Sequence, residues 1–174
     1  MDANNRWQCG DEAVSYLQQL EVQFVAVEEP LQVGDYERCR SVSKKCGVPI
    51  ILDESVIRAE QFPLFAEDPG RWIINIRVSK MGGIMRVLAV AARAKACGIP
   101  IVVGAQVGET SILTRAALAV ADQYWGIVMA QEGAFGTHLL EYDLCDPPVM
   151  FGQGGCLNSL SFSTCPGLGL AYVQ

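Results

Sequence analysis

The sequence predicts an α/β fold built on a parallel sheet, and it favours part of a TIM-type barrel over an open sheet. Apolar segments with strand character alternate with amphipathic segments about once every 25 residues, which is typical of parallel strands joined by helical crossovers. Three of the apolar segments lead into a charged residue, namely Glu28, Asp53 and Arg77. Asn75 and Arg77 share one face of their segment, which would be costly under the helices of a doubly wound sheet but suits the polar mouth of a barrel.

The predicted strands are short apolar runs that end at polar or turn-forming residues. The run that ends at Glu28 and Glu29 is closed by Pro30, which cannot donate to a sheet ladder. The predicted strands are residues 24–28, 49–52, 73–79, 99–103 and 125–130. Because a complete eight-unit barrel takes about 250 residues, we expect this 174-residue chain to run from the end of the third barrel strand to the eighth.

The predicted helices combine apolar residues at helical spacing with recognisable ends. Asp11 is a candidate N-cap of the first helix, and Gly47 is a candidate stop for the second, whose last turn is basic. The helix predicted at residues 59–65 is weaker, because it contains Pro63. The predicted helices are residues 11–20, 34–46, 59–65, 84–97 and 110–122. Proline and glycine dominate from residue 143 onward, so we expect a barrel domain over residues 1–142 and a tail over residues 143–174.

Composition argues against several classes of function. The net charge is −6 and there is no basic cluster, so we expect no nucleic-acid partner. No apolar run approaches the roughly 20 residues of a membrane span, and no signal peptide is visible, so we expect no membrane partner. The seven cysteines form no Cys-x-x-Cys pair and there is one histidine, which argues against zinc and favours reduced thiols in the cytoplasm.

Three carboxylates recur at the ends of apolar segments and predict a metal site. Asp2, Glu28 and Asp53 are separated by about 25 residues each, so parallel strands would bring them to one rim. Like charges gathered in this way need a cation or protons to neutralise them. Oxygen ligands held on rigid strands suit Mg²⁺. Each acid taken alone could equally be a helix N-cap or a solvated loop charge, but the repeated spacing favours a shared site.

Five motifs, in order along almost the whole chain, resemble the C-terminal barrel of the enolase superfamily. The closest branch is the muconate-lactonizing-enzyme-like one, which includes dipeptide epimerases, N-acylamino acid racemases and o-succinylbenzoate synthases. The motifs are Asp-Ala-Asn-x-x-Trp, Val-Glu-Glu-Pro, Leu-Asp-Glu-Ser, Asn-Ile-Arg-Val-Ser-Lys-Met-Gly-Gly and Pro-Gly-Leu-Gly.

The resemblance implies a (β/α)₇β barrel with Mg²⁺, or Mn²⁺ in its place, on Asp2, Glu28 and Asp53. It implies abstraction of a proton α to a carboxylate with an enediolate intermediate, in a racemase, epimerase, cycloisomerase or syn-dehydratase. The implied partner is a small-molecule carboxylate, and the full-length protein is expected to be a homo-oligomer. The tail would return toward a capping domain that, with the second-strand Lys-x-Lys pair of this branch, would precede residue 1.

Arg77 departs from the family pattern, because the matching position at the end of the sixth strand carries a catalytic lysine. A guanidinium group keeps its proton at neutral pH, so it is a poor general base but a good clamp for a carboxylate. We therefore expect Arg77 to act electrostatically or to bind substrate. Lys80 is a candidate replacement base, and the alternative is a solvated loop lysine.

Four further residues are candidates for contact with substrate: Asn4, Asn75, Gln106 and Glu109. Gln106 and Glu109 follow the predicted seventh strand and would face the same mouth, although Glu109 could instead be an acidic residue in the first turn of a helix. His138 does not match the position of the catalytic histidine in other branches of the superfamily, so we expect a structural role.

Three hypotheses about function remain: a Mg²⁺-dependent isomerase or lyase, an inactive metal-binding or scaffold homologue that Arg77 would permit, and an α/β ligand-binding protein. We expect residues 1–174 alone to be inactive and to associate through the exposed edges at residues 24–28 and 125–130. We also expect Asp2, near the terminus, to be poorly held.

Overall fold

The computed structural model describes residues 1–157 and 166–173, which form a parallel five-stranded sheet flanked by helices. The strands are β1 (Val27–Glu28), β2 (Ile50–Leu52), β3 (Trp72–Ile76), β4 (Ile101–Val103) and β5 (Val128–Gln131). They lie side by side in chain order, and each neighbouring pair is parallel. This arrangement confirms the predicted α/β fold and the partial barrel.

Within the described residues, five α-helices and four 3₁₀ helices precede, connect or follow the strands. The α-helices are α1 (Gly10–Gln19), α2 (Tyr36–Cys46), α3 (Ile84–Ala96), α4 (Ser111–Gln123) and α5 (Gly136–Leu139) in the described part of the chain. The 3₁₀ helices there are Ala59–Leu64, Pro69–Arg71, Trp125–Ile127 and Gln153–Gly155.

Helix α2 has both of its ends where the sequence predicts them. The Asp35 side chain accepts a hydrogen bond from the backbone N–H of Arg38, so the first turn is capped. Gly47 has a φ of 71° and its N–H bonds to the carbonyl of Ser43 at 2.9 Å. This left-handed conformation suits glycine and ends the helix.

Several predicted boundaries are wrong. Cys9 is the N-cap position of α1, and Asp11 lies in the first turn, where its side chain pairs with Lys45 at 2.6 Å. The strand predicted at residues 24–28 is limited to the two residues of β1. Val25, inside the predicted range, is 77% exposed and lies outside the sheet. Residues 125–127 form a 3₁₀ helix and the last strand starts only afterwards. Strand β3 ends at Ile76, so residues 77–79 belong to the following turn.

Both faces of the sheet are apolar in its centre. One face carries Leu52, Ile74 and Ile101, which pack into the main core under the helices. The opposite face carries Ile73 and Val102, which pack in a second, smaller cluster. This second face is the interior of the partial barrel, and the mouth of the barrel lies at the carboxyl ends of the strands.

The segment around Asp2 is bound to the edge of β1. Asp2 and Glu28 form a parallel bridge, in which the Ala3 N–H bonds to the Glu28 carbonyl at 2.9 Å and the Glu28 N–H bonds to the Met1 carbonyl at 2.8 Å. The expected open edge at β1 is therefore covered by residues 1–3. The backbone that carries Asp2 is held by the sheet, contrary to the expectation from its position in the chain.

In the described residues, no helix combines the length and the apolar character that crossing a membrane requires.

Candidate active site

A pocket of about 300 Å³ lies at the carboxyl ends of the strands. Most of its lining residues directly follow a strand or the paired segment around Asp2, so the parallel sheet brings distant parts of the chain to one place. The lining residues are Asp2, Asn4, Glu28, Asp53, Glu54, Arg77, Ala105, Gln106, Val107 and Glu132. All three predicted metal ligands and Arg77 are among them.

Glu28 is the central carboxylate of this pocket. It ends β1 and is half-buried, and its Oε1 accepts a hydrogen bond from Asn75 Nδ2 at 2.8 Å. Burial raises the pKa of Glu28, the hydrogen bond from Asn75 opposes that effect, and the negative charges of Asp2 and Glu132 raise the pKa further. The local environment of Glu28 therefore favours an added positive charge.

Asp53 is buried and is already bound by two cationic side chains. Lys80 Nζ lies 2.5 Å from Asp53 Oδ1, and the Arg77 guanidinium is in direct contact with Asp53 Oδ2. Glu54 lies farther from this guanidinium, at 3.9 Å. Asp53 is thus the carboxylate that protein charges neutralise, whereas no ion pair of this kind joins Glu28 to another residue in the described part of the chain.

Lys80 lies behind the pocket and does not line it. Its Nζ also donates to the backbone carbonyls of Asp53 and Asn75, both at 2.7 Å. Its side chain is 11% exposed, so the alternative of a solvated loop lysine is wrong. Burial lowers the pKa of Lys80 to about 7, and the nearby Arg77 acts in the same direction. Two bonds to Asp53 and one to Asn75 in β3 indicate that Lys80 holds Asp53 and the end of β3 together.

Asn75 supports Glu28 from the barrel interior. It is 1% exposed and lies outside the pocket lining, so direct contact with substrate has no support from its position. A Cβ atom on Gly104 would lie 2.1 Å from Asn75 Oδ1, which explains why glycine follows β4 at this point. The predicted contact of Asn75 with substrate stays a prediction, and the structure gives Asn75 a hydrogen bond to the carboxylate of Glu28.

The remaining predicted contact residues separate into two groups. Asn4 and Gln106 line the pocket, and Gln106 Oε1 accepts a bond from Arg77 Nη1 at 3.3 Å. Glu109 does not line it, since it is buried and accepts a bond from Ser79 Oγ at 2.7 Å. Glu109 therefore joins the loops after β3 and β4. His138 lines a different pocket, of about 350 Å³, with Phe135 and Phe151.

Two acidic residues of the pocket were missed by the sequence analysis, Glu54 and Glu132. Glu132 directly follows β5, and its Oε2 accepts a hydrogen bond from the Ala105 N–H at 3.2 Å. The predicted strand ends at Ala130, two residues before Glu132, so the pattern of a charge at each strand end does not reach it. Glu54 lies at the same rim as its neighbour Asp53.

The chemistry of the donor set fits a hard divalent cation, although the carboxylates are not gathered into a closed site. Carboxylate oxygens are the donors that Mg²⁺ prefers, and the raised pKa of Glu28 marks a place where a cation would be stabilised. Within residues 1–157 and 166–173, however, no three His, Cys, Asp or Glu side chains are clustered closely enough to hold an ion as they stand. Arg77 and Lys80 both form ion pairs with Asp53, which partly explains why the described carboxylates do not form a closed metal site.

The chain is similar in sequence to one family model and to known enzymes. The family model "Enolase C-terminal domain-like" matches residues 1–173. An o-succinylbenzoate synthase of Thermobifida fusca is 32% identical over 152 residues, which are 86% of this chain and 45% of that protein.

Solved structures show the same similarity. The dipeptide epimerase from Enterococcus faecalis complexed with Mg and the dipeptide L-Leu-L-Tyr has a TM-score of 0.83 and 26% identity, over 98% of this chain and 47% of its own. The muconate lactonizing enzyme from Klebsiella pneumoniae has a TM-score of 0.78 and 26% identity, over 98% of this chain and 46% of its own. The chain thus spans less than half the length of these relatives, and it belongs to the enolase C-terminal domain-like family of the enolase superfamily.

Proposed function

We propose that this chain is the barrel part of an enzyme that abstracts a proton α to a carboxylate, in the racemase, epimerase or lyase class. The observation that carries the proposal is the single pocket that joins Asp2, Glu28, Asp53 and Arg77 at the carboxyl ends of parallel strands. The relatives named above, an o-succinylbenzoate synthase, a dipeptide epimerase and a muconate lactonizing enzyme, support this reaction class.

Asp2, Glu28 and Asp53 are the residues that would hold Mg²⁺. The complexes of the related dipeptide epimerases contain Mg, which favours this ion over Mn²⁺. When bound, the cation supplies positive charge that stabilises the negative charge developing on the substrate carboxylate. Asn75 orients Glu28 through its hydrogen bond, and Lys80 orients Asp53 through two contacts with it and anchors it to β3 through a third, with the Asn75 carbonyl.

Arg77 provides a fixed positive charge at the position where a base would otherwise stand. It lines the pocket between Asp53 and Gln106, within reach of a small carboxylate. A guanidinium group holds its proton, so Arg77 binds or orients an anionic group and does not remove a proton. Lys80 is shielded by Asp53 and by two backbone carbonyls, which supports a structural role. We therefore propose a one-base reaction, with the base outside residues 1–174.

An inactive homologue is the second candidate, because Arg77 and Lys80 both form ion pairs with the carboxylate of Asp53. If these two pairs persist in the full-length protein, the third carboxylate is unavailable to a cation. The fold would then serve as a scaffold that binds a ligand without chemistry.

Calorimetric titration of the full-length protein with Mg²⁺ tests the metal site. We expect Glu28→Gln to weaken Mg²⁺ affinity by about tenfold or more, since removal of one anionic oxygen ligand leaves an incomplete coordination shell. Glu37→Gln is the matched control, because this glutamate is 88% exposed on α2 and pairs with Arg40. Equal affinity in the parent and in Glu28→Gln would remove the metal site.

Deuterium exchange at the α-carbon distinguishes the enzyme from the scaffold. We expect the full-length parent in deuterated water to label one enantiomer of a substrate, and Arg77→Lys to add exchange of the other. Arg93→Lys, on the exposed side of α3, is the control. Rapid labelling of both enantiomers by the parent would contradict the one-base reaction, and binding of the ligand without exchange would identify the scaffold.

A further inference from the structure

Glu29 is a carboxylate that is almost completely removed from solvent, although it directly follows the pocket residue Glu28. Glu29 is 1% exposed. Glu28 lines the pocket, whereas Glu29 lies outside its lining and directs its carboxylate to the backbone of the turn after β2. A buried carboxylate is unfavourable unless hydrogen bonds satisfy it, so its partners explain why it is there.

Among the described residues, the hydrogen bonds to the Glu29 carboxylate come from the turn that carries Asp53. Glu29 Oε1 accepts bonds from the backbone N–H groups of Asp53 and Ser55, at 2.7 and 2.8 Å. Glu29 Oε2 accepts a third bond from Ser55 Oγ at 2.9 Å. One side chain therefore fixes both the backbone of the pocket residue Asp53 and the residue two positions later.

The backbone of Glu29 connects the segments on either side of it. Its N–H bonds to the Ile51 carbonyl at 3.0 Å, and its carbonyl accepts a bond from the Asn5 N–H at 2.7 Å. Glu29 also has a φ of 35°, a conformation that non-glycine residues adopt uncommonly and that needs support from its surroundings. The residue thus joins the segment after Asp2 to the turn that carries Asp53.

We propose that Glu29 is a positioning residue that sets the relative placement of the pocket carboxylates Asp2, Glu28 and Asp53 without touching the substrate. The metal-binding readout of this proposal rests on the proposed function. The positioning itself is a property of the protein alone, so it is measured separately.

Two substitutions of Glu29 distinguish the effect of its hydrogen bonds from the effect of its side-chain volume. Glu29→Ala leaves the N–H groups of Asp53 and Ser55 without their acceptor. Glu29→Gln keeps one oxygen for those two N–H groups and changes only the bond with Ser55 Oγ, so it is the conservative rescue variant. Glu37→Ala removes an exposed carboxylate from α2 and is the control.

Amide hydrogen exchange in the full-length protein, followed by NMR, tests the positioning directly. We expect Glu29→Ala to accelerate exchange at Asp53 and Ser55 by about tenfold or more, because each N–H loses its acceptor. We expect Glu29→Gln and Glu37→Ala to stay within about threefold of the parent at both amides. Unchanged exchange at Asp53 and Ser55 in folded Glu29→Ala would overturn the proposal.

Calorimetry with Mg²⁺ then measures the consequence for the site. We expect Glu29→Ala to weaken Mg²⁺ binding by about tenfold, as is typical for residues that hold a ligand in place, with affinity restored by Glu29→Gln. A parent protein that does not bind Mg²⁺ would contradict the proposed function, while the exchange rates would still decide the role of Glu29. If Glu29→Ala does not fold, Glu29→Asp is the test variant, because its shorter side chain withdraws the carboxylate from the N–H groups of Asp53 and Ser55. Parental exchange at both amides in Glu29→Asp would overturn the proposal.

Discussion

Strands β3 and β5 belong to the same parallel sheet, yet their environments differ completely. All five residues of β3 are buried, and the strand lies between β2 and β4. In β5 the two central residues are exposed, and Met129 is 51% exposed. Among the described residues β5 has a single strand neighbour, β4. Burial of a strand here depends on what lies beside it more than on the apolar character of its sequence.

The same difference divides the pocket into a rigid wall and an open wall. On the β1–β3 side, Asp53 and Asn75 are buried and Glu28 is half-buried, each with a hydrogen bond or ion pair to a neighbouring strand end. On the β4–β5 side, Gln106 and Glu132 are exposed. Two of the three residues proposed to hold a cation, Glu28 and Asp53, are therefore on the rigid wall, whereas Asp2 is exposed.

The largest effect is expected from truncating the buried end of β3. Trp72 is 1% exposed, its ring centroid lies 5.5 Å from that of Phe65, and its Nε1 donates to Asp68 at 2.9 Å. We expect Trp72→Ala to reduce the free energy of unfolding by about 3–5 kcal/mol. The control is Trp125→Ala, just before β5, where the ring is 78% exposed and the expected change is within about 0.5 kcal/mol. Similar urea midpoints for both variants would contradict the comparison.

The general arrangement of β3 and its neighbours could be predicted from the sequence, because buried parallel strands consist of continuous runs of apolar residues. Strands β2 and β4 fall within predicted segments, and β3 starts one residue before its predicted segment, at Trp72, and ends three residues early, at Ile76. The ends of β1 and β5 could not be located, because Val25 and Trp125 are apolar residues that lie at the surface. Apolar character alone does not distinguish a buried strand from an exposed connection.

The candidate site was predictable where it depends on strand ends and unpredictable where it depends on side-chain pairing. The periodic charges located Glu28, Asp53 and Arg77 at one rim. The sequence could not show that Lys80 turns back toward Asp53 or that Glu109 bonds to Ser79, since both contacts depend on loop geometry. The division at residue 142 and the oligomeric state stay predictions, and residues 158–165 of the predicted tail lie outside the described part of the chain.

The rigid wall should also respond to pH through Lys80. Its pKa falls from an ordinary 10.5 to about 7, so between these values the unfolded chain binds more protons than the folded one. The contribution of Lys80 to the free energy of unfolding therefore rises with pH across this window, by on the order of 1 kcal/mol per pH unit.

Urea unfolding of the parent and of Lys80→Met, at intervals between pH 7 and pH 10, measures this contribution as the difference between the two proteins. The difference should grow with pH. Burial raises the pKa of Cys39 to about 12, which acts in the opposite direction at alkaline pH, but it is common to both proteins and cancels. A difference that does not change with pH would mean that Lys80 has an ordinary pKa in the folded state.

A smaller effect is expected from filling the space between β3 and β4. In Gly104→Ala the new methyl group would lie 2.1 Å from Asn75 Oδ1, so Asn75 must move away from Glu28. We expect a loss of about 1–3 kcal/mol in the free energy of unfolding, as for other overpacked sites. Gly70→Ala is the control, since a methyl group there meets nothing within 4 Å and is expected to be neutral. Equal thermal midpoints for the two variants would show that Asn75 can shift without cost.

The smallest effect on folding, but a clear one on association, is expected at β5. The strand presents Met129, 51% exposed, beside backbone groups that have no further strand neighbour among the described residues. Such an edge pairs with other chains, and a lysine on an edge strand opposes that pairing. We expect Met129→Lys to shift residues 1–174 toward monomer in sedimentation velocity with little change in stability. Met85→Lys, which places the same charge on helix α3 at a methionine that is 74% exposed, should leave association unchanged. If both lysines reduce association equally, net charge and not the open strand controls it, and the contrast between β3 and β5 has no consequence in solution.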